Sequence, residues 1–245
     1  MRIYGINPVL EALRAGRVTS IQLSPRADSR VQEIVTLAES RGVTIARRPA
    51  EAIDRLVGGA RRHSHQGVVA EVSDRESFGV AELVQGAAAA PLLVVLDQIE
   101  DPHNVGAILR TVDAAGADGV IQQSRRAARL DGAAAKTSAG ALAHVRVAEV
   151  VNIARALEEL KEAGVWTVGL AGEAEKRYDE VDLTLPTALV IGAEGSGLRR
   201  LVRERCDWLI SIPLRGHVQS LNASVAAGIA LFEAVRQRRA AHPKK

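Results

Sequence analysis

The sequence predicts an α/β protein with two domains, because segments with helical and strand-like patterns alternate along almost the whole chain. Such alternation is typical of a parallel sheet covered by helices. The continuous apolar run Leu92–Leu96 is typical of a strand buried on both faces. The stretch 73–91 combines charges, a weak helix pattern and an alanine run, as interdomain linkers do. We expect a first domain over 1–75, a linker over 76–91 and a second domain over 92–245.

The first domain contains short elements. Asn7 and Pro8 are typical of the N-cap and first turn of a helix, and Gly16 is typical of its end. Apolar periodicity and turn residues then predict further helices and strands. These are a strand from Thr19 to Leu23, a helix from Asp28 to Ser40, a strand from Val43 to Ala46, a helix from Ala50 to Val57 and a strand from Val68 to Val72.

The second domain continues the alternation after Leu92–Leu96. The predicted helices are Val105–Ala115, Ala133–Ser138, Ile153–Ala163 and Leu221–Arg238. The predicted strands are Gly119–Gln122, Val165–Leu170, Ala188–Ile191 and Leu209–Ile212. This order favours a parallel sheet with helices on both faces.

Composition excludes several classes of protein. A single cysteine, Cys206, cannot form an intramolecular disulfide, and its apolar surroundings predict a core thiol. No Cys/His spacing resembles a metal site, so we expect no metal ion. No apolar run approaches the roughly 20 residues that cross a bilayer, and the N-terminus lacks the pattern of a signal peptide. We therefore expect a globular protein of the cytoplasm that does not associate with membranes.

The charge distribution points to a polyanionic partner. Residues 1–75 carry 12 Lys and Arg against 8 Asp and Glu, a net charge of +4, whereas the whole chain has +3. A general compositional bias explains this excess equally well. Aromatic residues make up only 2% of the chain, so RNA binding would depend on phosphate contacts and shape. Arg61, Arg62 and His65 lie in a basic loop and are candidates for RNA contact, His65 alternatively as a turn residue.

Three segments carry chemically informative residues, and each follows a predicted strand at its carboxyl end, where open α/β sheets bind ligands. They are Asp97–Thr111, Ile191–Leu198 and Ile212–Ser224.

Each segment also has an ordinary structural explanation. Asp101 to Asn104 are residues common in turns and helix caps. The loop Gly192–Gly197 has neither the Gly-Lys-Ser/Thr of a Walker loop nor the glycine order of a dinucleotide fingerprint. Ser220 and Asn222 are suitable caps for the last helix. Taken singly, the segments leave the function open.

Together, in their order and spacing, the three segments resemble the motifs of the SpoU or TrmH family of RNA ribose methyltransferases. The resemblance covers nearly all of Leu92 to Arg239. The segments Tyr4–Leu13 and His65–Ala70 are similar to the small, ribosomal-protein-like (L30e-like) RNA-binding domain of one branch of this family. That branch methylates a guanosine ribose in 23S ribosomal RNA, which the resemblance implies as the substrate here.

The resemblance implies a trefoil knot over 188–222, one of the rare exceptions to the rule against knotted chains. It also implies S-adenosylmethionine as cofactor and places five residues in the cofactor site: Gly192, Gly195, Ile212, Ser220 and Leu221. Glycines at positions 192, 195, 197 and 216 suit such a site, because residues without a Cβ let main chain approach a ligand or other main chain closely.

The resemblance also implies the catalytic residues. Arg110 matches an arginine that the family places beside the ribose. Since an arginine is almost always protonated, we expect it to hold the adjacent phosphate and lower the pKa of the ribose hydroxyl rather than act as a base. Asn104, Glu194 and Asn222 match the other polar positions and are expected to orient Arg110, the ribose or the loops. Glu194 is equally well explained as a structural residue that accepts backbone N–H bonds.

The family resemblance further implies a homodimer. We expect its contact on the apolar face of the last helix, at Ala226, Ala227, Ile229, Ala230 and Leu231. Two other functions remain open at this point: a tRNA ribose methyltransferase, and an RNA-binding ribosome-assembly factor without turnover. A nucleotide-dependent dehydrogenase is excluded by the lack of a suitable phosphate-binding glycine loop.

Overall fold

The structure is a computed structural model that describes residues 2–25, 29–57, 65–73, 77–130 and 132–241. The chain divides into two compact units. One consists of residues 1–75 and 129–144, and the other of residues 76–128 and 145–245.

The first unit contains a mixed four-stranded sheet with the strand order β1-β4-β2-β3. β2 pairs antiparallel with β4 and parallel with β3, and β1 pairs antiparallel with β4. Its strands are β1 Arg2–Tyr4, β2 Val18–Leu23, β3 Thr44–Arg47 and β4 Val68–Val72. Its helices are α1 Ile6–Arg14, α2 Ser29–Ser40, α3 Ala50–Leu56 and α6 Gly132–Thr137, and a 3₁₀ turn spans Ala141–Ala143.

Helix α1 begins earlier than the sequence predicts. Its N-cap is Gly5, which has a φ of 97°, so the expectation of an N-cap at Asn7 is wrong. The first-turn N–H of Ile6 donates a hydrogen bond of 3.0 Å to Oε1 of Gln66, which satisfies a group that has no partner within the helix. Pro8 lies in the first turn, where its missing N–H has no cost.

A segment from the second half of the sequence belongs to the first unit. α6 and the 3₁₀ turn pack against α1 and β1, and Ala134 and Leu142 are buried there. Gly140 lies so close to Glu11 that a Cβ at this glycine would come within 2.1 Å of the Glu11 Cγ. The expected second domain over 92–245 is therefore wrong for 129–144, because these apolar side chains complete the core of the first unit.

The second unit contains a parallel seven-stranded sheet with the order β7-β6-β5-β10-β8-β11-β9. Its strands are β5 Leu92–Asp97, β6 Gly119–Gln123, β7 Val147–Val150, β8 Trp166–Leu170, β9 Lys176–Arg177, β10 Thr187–Gly192 and β11 Trp208–Ser211. Its helices are α4 Val80–Gln85, α5 Pro102–Ala115, α7 Ile153–Glu162, α8 Arg200–Arg205 and α9 Ala223–Ala241. The α/β class and the parallel sheet that the sequence predicts are confirmed.

Helices cover both faces of this sheet. All six residues of β5 are buried, as its apolar sequence predicts. On one face, Leu93 and Val95 pack with Leu83 of α4, Leu157 of α7 and Val202 of α8. Side chains of a strand alternate between the two faces, and α5 and α9 pack on the other one, against each other and against β6 and β10.

The predicted linker over 76–91 is not a linker throughout. It contains α4, whose Val80 and Leu83 are buried in the core of the second unit. These two residues are three positions apart, so they lie on the same side of the helix. They attach the segment to the sheet.

Helix α9 is apolar on two sides. Ala227, Ala230 and Leu231 are buried within the same unit, where α9 contacts α5 and β10. Their predicted role in a dimer contact is therefore wrong, because their own chain already covers them. The outward apolar side chains are Val225 and Phe232, each 49% exposed, with the partly exposed Ile229 between them.

In the part of the chain that the structure describes, no helix combines the length and the apolar character that a membrane span requires.

Candidate functional site

The three informative segments follow β5, β10 and β11, which run in the same direction in the sheet. Their carboxyl ends therefore lie at the same edge of the sheet, where open α/β folds bind their ligands. The fold thus brings together residues that are about 100 positions apart in the sequence.

The first segment both caps a helix and directs a polar side chain inward. Asp101 is the N-cap of α5, and its Oδ1 accepts a hydrogen bond of 2.9 Å from the backbone N–H of His103. Pro102 occupies the first helical position, which its ring favours. One residue on from His103, Asn104 is only 9% exposed. The cap explanation is therefore correct for Asp101, while Asn104 points into the site.

Asn104, Glu194 and Asn222 form a hydrogen-bonded cluster that joins the three segments. Nδ2 of Asn222 donates to Oδ1 of Asn104 at 2.8 Å and to Oε2 of Glu194 at 3.1 Å. Nδ2 of Asn104 lies 3.5 Å from the same Glu194 oxygen, a long and weak contact. Both amide groups thus turn their donors towards one carboxylate oxygen, which fixes the position of Glu194.

Asn222 has a second role at the start of α9. Its Oδ1 accepts hydrogen bonds from the backbone N–H of Ser224 at 2.9 Å and from the Ser224 hydroxyl at 2.6 Å. The acceptor atom therefore caps the helix while the donor atom serves the cluster. Asn222 therefore has both predicted roles at once, because an amide group carries an acceptor and a donor on different atoms.

Arg110 lies outside this cluster. It is six residues after Asn104 on α5, which places it roughly 9 Å farther along the helix axis and on a different side. Its side chain is exposed, and among the described residues none forms a hydrogen bond or ion pair with it. The structure thus brings together three of the four expected catalytic residues in one chain, and it leaves Arg110 at the surface.

The glycine loop after β10 folds back on itself. Ala193 and Gly197 exchange backbone hydrogen bonds of 3.1 and 2.9 Å. A Cβ on Gly192 would lie 2.2 Å from the carbonyl carbon of Gly197, so main chain packs directly on main chain there. A Cβ at Gly195, Gly197 or Gly216 would meet no atom of the described residues within 4 Å, and the first two have positive φ values of 84° and 66°, which favour glycine.

A cavity of about 410 Å³ opens beside this loop. The five residues expected to bind the cofactor all line it: Gly192, Gly195, Ile212, Ser220 and Leu221. The contribution of β8 was not predicted from the sequence: its carboxyl end supplies Leu170 to Glu173 to the same wall. The rule that ligands bind at the carboxyl ends of parallel strands could have identified this segment.

A second cavity, of about 380 Å³, adjoins the first one at the glycine loop. It is lined by the turn Gln98–Asp101 and by Asn104. Ala193, Glu194 and Ser196 line both cavities, so Glu194 stands in the wall between them. Gln98 has a φ of 58°, a conformation that is uncommon for a residue with a side chain.

An ion pair that the sequence does not predict supports the glycine loop. Asp97 ends β5 and is completely buried, and its carboxylate is bonded by Arg199, which follows the loop. Nη2 of Arg199 also donates a hydrogen bond of 3.0 Å to Oε1 of Gln123, at the end of β6. Asp97 and Arg199 are 102 residues apart, so no local pattern reveals the pair.

The expected RNA contacts in the first unit have different outcomes. Arg61 and Arg62 lie outside the described residues. His65 is 5% exposed, so its expected contact with RNA is wrong. Its Nδ1 accepts a hydrogen bond of 2.9 Å from the N–H of Gly67, and its Nε2 lies 2.7 Å from Oδ1 of Asp54. The residue therefore holds a buried turn, as the alternative explanation predicts.

Within the described part of the chain, no three His, Cys, Asp or Glu residues lie close enough together to hold a metal ion.

Comparisons with known proteins agree with this geometry. A sequence model described as the SpoU rRNA Methylase family matches residues 91–232, more than half of the chain. The chain belongs to the SpoU rRNA methylase family. A second model, described as RNA 2′-O ribose methyltransferase substrate binding, matches residues 2–78. The family resemblance predicted from the sequence is therefore confirmed, and with it a methyltransferase that uses S-adenosylmethionine.

Individual relatives cover almost the whole chain. The chain is 47% identical to 23S rRNA (guanosine-2′-O-)-methyltransferase RlmB of Pseudomonas syringae pv. tomato, over 98% of this chain and 96% of that protein. It is 42% identical to the putative TrmH family tRNA/rRNA methyltransferase YacO of Bacillus subtilis, over 96% of this chain and 95% of the relative.

Among solved structures, the SpoU methyltransferase AviRb from Streptomyces viridochromogenes in complex with AdoMet is similar to this chain. The TM-score is 0.81 at 27% sequence identity, covering 98% of this chain and 91% of the other. The rRNA methyltransferase from Sinorhizobium meliloti is also similar, with a TM-score of 0.79 at 26% identity, covering 96% of this chain and 86% of the other.

Proposed function

We propose that this protein transfers a methyl group from S-adenosylmethionine to the 2′-hydroxyl of a guanosine ribose in 23S ribosomal RNA. One observation carries the proposal: Glu194, held by Asn104 and Asn222, stands in the wall between two cavities. A methyl transfer needs two reactants aligned across a short distance, and two adjoining cavities provide this arrangement. The names of the RlmB relatives support the choice of 23S rRNA and of guanosine.

The larger cavity suits the methyl donor. Its volume of about 410 Å³ lies within the range of small-molecule sites. Gly192 and Gly195 provide main chain without side chains, and Ile212 and Leu221 provide apolar surface for an adenine ring. The exposed Ser220 adds a hydroxyl group to the lining. When bound, S-adenosylmethionine supplies a methyl group already activated on a sulfonium.

The second cavity suits the target nucleotide. Asn104 and Glu194 line it, and both are held by Asn222 from the start of α9. In this proposal the three side chains orient the ribose hydroxyl through hydrogen bonds. Their mutual contacts fix their rotamers before RNA binds, so little order has to be gained during the reaction.

Arg110 acts on the RNA rather than within the cluster in this proposal. Its exposed guanidinium on α5 is available for a phosphate next to the target ribose, where it lowers the pKa of the hydroxyl. Single-turnover kinetics with Arg110→Ala tests this role. We expect the rate at saturating RNA to fall. A variant that keeps this rate and loses only RNA affinity would show that Arg110 is a docking residue.

The first unit docks the RNA in this proposal and has an L30e-like fold. The net charge of +4 over residues 1–75 and the match to a substrate-binding family support this role. Arg61 and Arg62 are the expected phosphate contacts in its basic loop.

We further propose that the backbone over 188–222 is knotted. The strand order supports this: β10 lies between β5 and β8, β11 lies beyond β8, and α9 returns to pack on α5 and β10. In this proposal the chain crosses its own loops beside the larger cavity. The proposal also includes action in the cytoplasm, where ribosomal RNA is found.

A homodimer forms part of the proposal. Val225, Ile229 and Phe232 are spaced four and three residues apart, so they form one apolar stripe on the outward side of α9. Exposed apolar stripes on a helix are typical of contacts between subunits. A second copy of α9 would cover the same residues symmetrically. Sedimentation of Phe232→Glu against the unchanged protein tests this contact, and we expect a monomer for the variant.

The experiment for the function incubates the protein and labelled S-adenosylmethionine with unmodified 23S rRNA and, separately, with tRNA. A 2′-O-methyl group makes the adjoining phosphodiester resistant to alkali, so partial hydrolysis maps the modified nucleotide. We expect one resistant linkage, at a guanosine of 23S rRNA, and no label in tRNA. Label in tRNA alone would contradict the substrate. Label in neither RNA would favour an assembly factor without turnover.

A further inference from the structure

The segment Ser124–Ala128, which follows β6, lies at the same edge of the sheet as the candidate site. β6 is parallel to β5, so both strands end at this edge. The segment is fixed at both ends: the N–H of Ser124 donates to the carbonyl of Val150 at 2.9 Å, and the N–H of Ala128 donates to the carbonyl of Ile99 at 3.0 Å. Ile99 belongs to the turn that lines the second cavity. The segment therefore adjoins the cavity assigned to the target nucleotide.

Two consecutive arginines, Arg125 and Arg126, occupy this segment, and both side chains are exposed. Among the described residues, none forms a hydrogen bond or ion pair with either guanidinium. Other arginines of the same unit form ion pairs with acidic residues. For example, Nη2 of Arg177 lies 2.7 Å from Oδ2 of Asp179. Arg126 has a φ of 55°, a left-handed conformation that is uncommon for a residue with a side chain.

The base of the segment is held in place by the core of the site. Gln123, directly before it, accepts a hydrogen bond of 3.0 Å from Nη2 of Arg199. Arg199 is in turn paired with the buried Asp97. The two exposed guanidiniums are therefore presented from anchored backbone, so a ligand that binds them orders only the side chains.

We propose that Arg125 and Arg126 bind backbone phosphates of the substrate RNA close to the target nucleotide. The inference rests on the proposed function, because it takes the second cavity as the site of that nucleotide. The guanidinium group is planar and matches two phosphate oxygens at once. Phosphate contacts set the position of an RNA without reading its sequence. These two residues thus place the ribose in the cavity, and the chain's few aromatic residues leave this task to phosphate contacts.

The salt dependence of RNA binding tests the proposal. The dissociation constant of a 23S rRNA fragment that contains the methylated guanosine is measured over a series of KCl concentrations. The proteins compared are the chain without substitutions (the full chain), Arg125→Ala, Arg126→Ala and the double variant. Each lost phosphate contact is expected to reduce the slope of log K against log salt by roughly 0.7 to 0.9. Arg125→Lys/Arg126→Lys is expected to keep most of the slope.

Arg239→Ala is the matched control. Arg239 is exposed at the end of α9, next to Arg238, whose guanidinium bonds to the carbonyls of Ala90 and Pro91 before β5. Arg239 therefore lies at the opposite edge of the sheet from Arg125 and Arg126. Its replacement by alanine removes the same charge as each of their single variants. We expect an unchanged slope for this variant. All variants should bind S-adenosylhomocysteine like the full chain, which shows that they are folded.

Two results would overturn the proposal. A double variant with the slope of the full chain would show that no phosphate contacts these arginines. An equal loss in Arg239→Ala would show that only net charge matters. If the full chain methylates no guanosine in 23S rRNA, the proposed function itself fails, and that result is separate because it is obtained without any variant.

Discussion

Asp97 and Arg199 form an ion pair that ties the end of β5 to the end of the glycine loop. Nε of Arg199 donates to Oδ1 of Asp97 at 2.7 Å, and its backbone N–H donates to Oδ2 at 2.8 Å. The Asp97 carboxylate is completely buried, whereas the Arg199 side chain is 37% exposed. The loop that separates the two cavities is thus anchored at its far end by a buried charge.

Arg199→Ala should lower the free energy of unfolding, because it removes the guanidinium from a buried carboxylate. The backbone N–H of residue 199 remains as a donor and water can enter, so we expect a loss of about 2 to 3 kcal/mol. Urea unfolding measures it. The neighbouring Arg200→Ala is the control, since this side chain is 83% exposed in its pair with Glu204. Its effect should stay within about 0.5 kcal/mol, and equal losses in the two variants would contradict the account.

Gly192→Ala should abolish cofactor binding. The new Cβ would lie 2.2 Å from the backbone of Gly197, so the loop that lines the larger cavity has to move. Gly216→Ala is the matched control in the same region, because a Cβ there meets none of the described residues within 4 Å. Calorimetric titration with S-adenosylhomocysteine compares the two variants. Equal affinities would show that the cofactor does not depend on the shape of this loop.

Asn222→Asp should separate the cap of α9 from the polar cluster. The aspartate keeps an oxygen that can accept the Ser224 N–H, but it loses the donor that bonds to Asn104 and Glu194. We expect a folded protein whose single-turnover rate falls by at least about tenfold, the loss of roughly one strong orienting contact. Asn222→Ala should lose the same rate and, in addition, about 1 kcal/mol of stability from the missing cap. Wild-type rates in Asn222→Asp would mean that the cluster is only structural.

Cys206 should make the protein less stable at alkaline pH. Burial raises the pKa of its thiol from 9.0 to about 12, because the thiolate is poorly solvated beside the core. Its contribution to stability is complete below pH 9.0 and is lost as the pH rises from there towards 12. Between pH 8 and pH 10, the free energy of unfolding of the unchanged protein should fall by about 1 kcal/mol more than that of Cys206→Ala. Parallel slopes would contradict this.

The elements that the sequence predicts well are those with a strong local pattern. The strand Val68–Val72 has the predicted bounds, and Leu92–Asp97 extends the predicted strand by one residue. By contrast, α8 and β7 were not predicted. α8 has only Val202 buried among charged residues, so its sequence has no apolar periodicity.

Other features could not be predicted because they depend on tertiary contacts. α9 has apolar residues on two sides, and the sequence does not say that α5 and β10 cover Ala227 and Leu231 while Phe232 stays exposed. In the sequence His65 has the surroundings of a loop residue, and its contact with Asp54 is visible only in the structure. The candidate site was largely predictable for the opposite reason: its residues lie in segments that follow strand ends, and the resemblance to a family identified them.

A crystal structure of the protein with S-adenosylhomocysteine would show where the methyl donor binds. We expect the ligand in the cavity lined by Gly192, Ile212 and Leu221, with its sulfur atom turned towards the wall that carries Glu194. A ligand bound elsewhere, or crystals that take up none at saturating concentration, would contradict it.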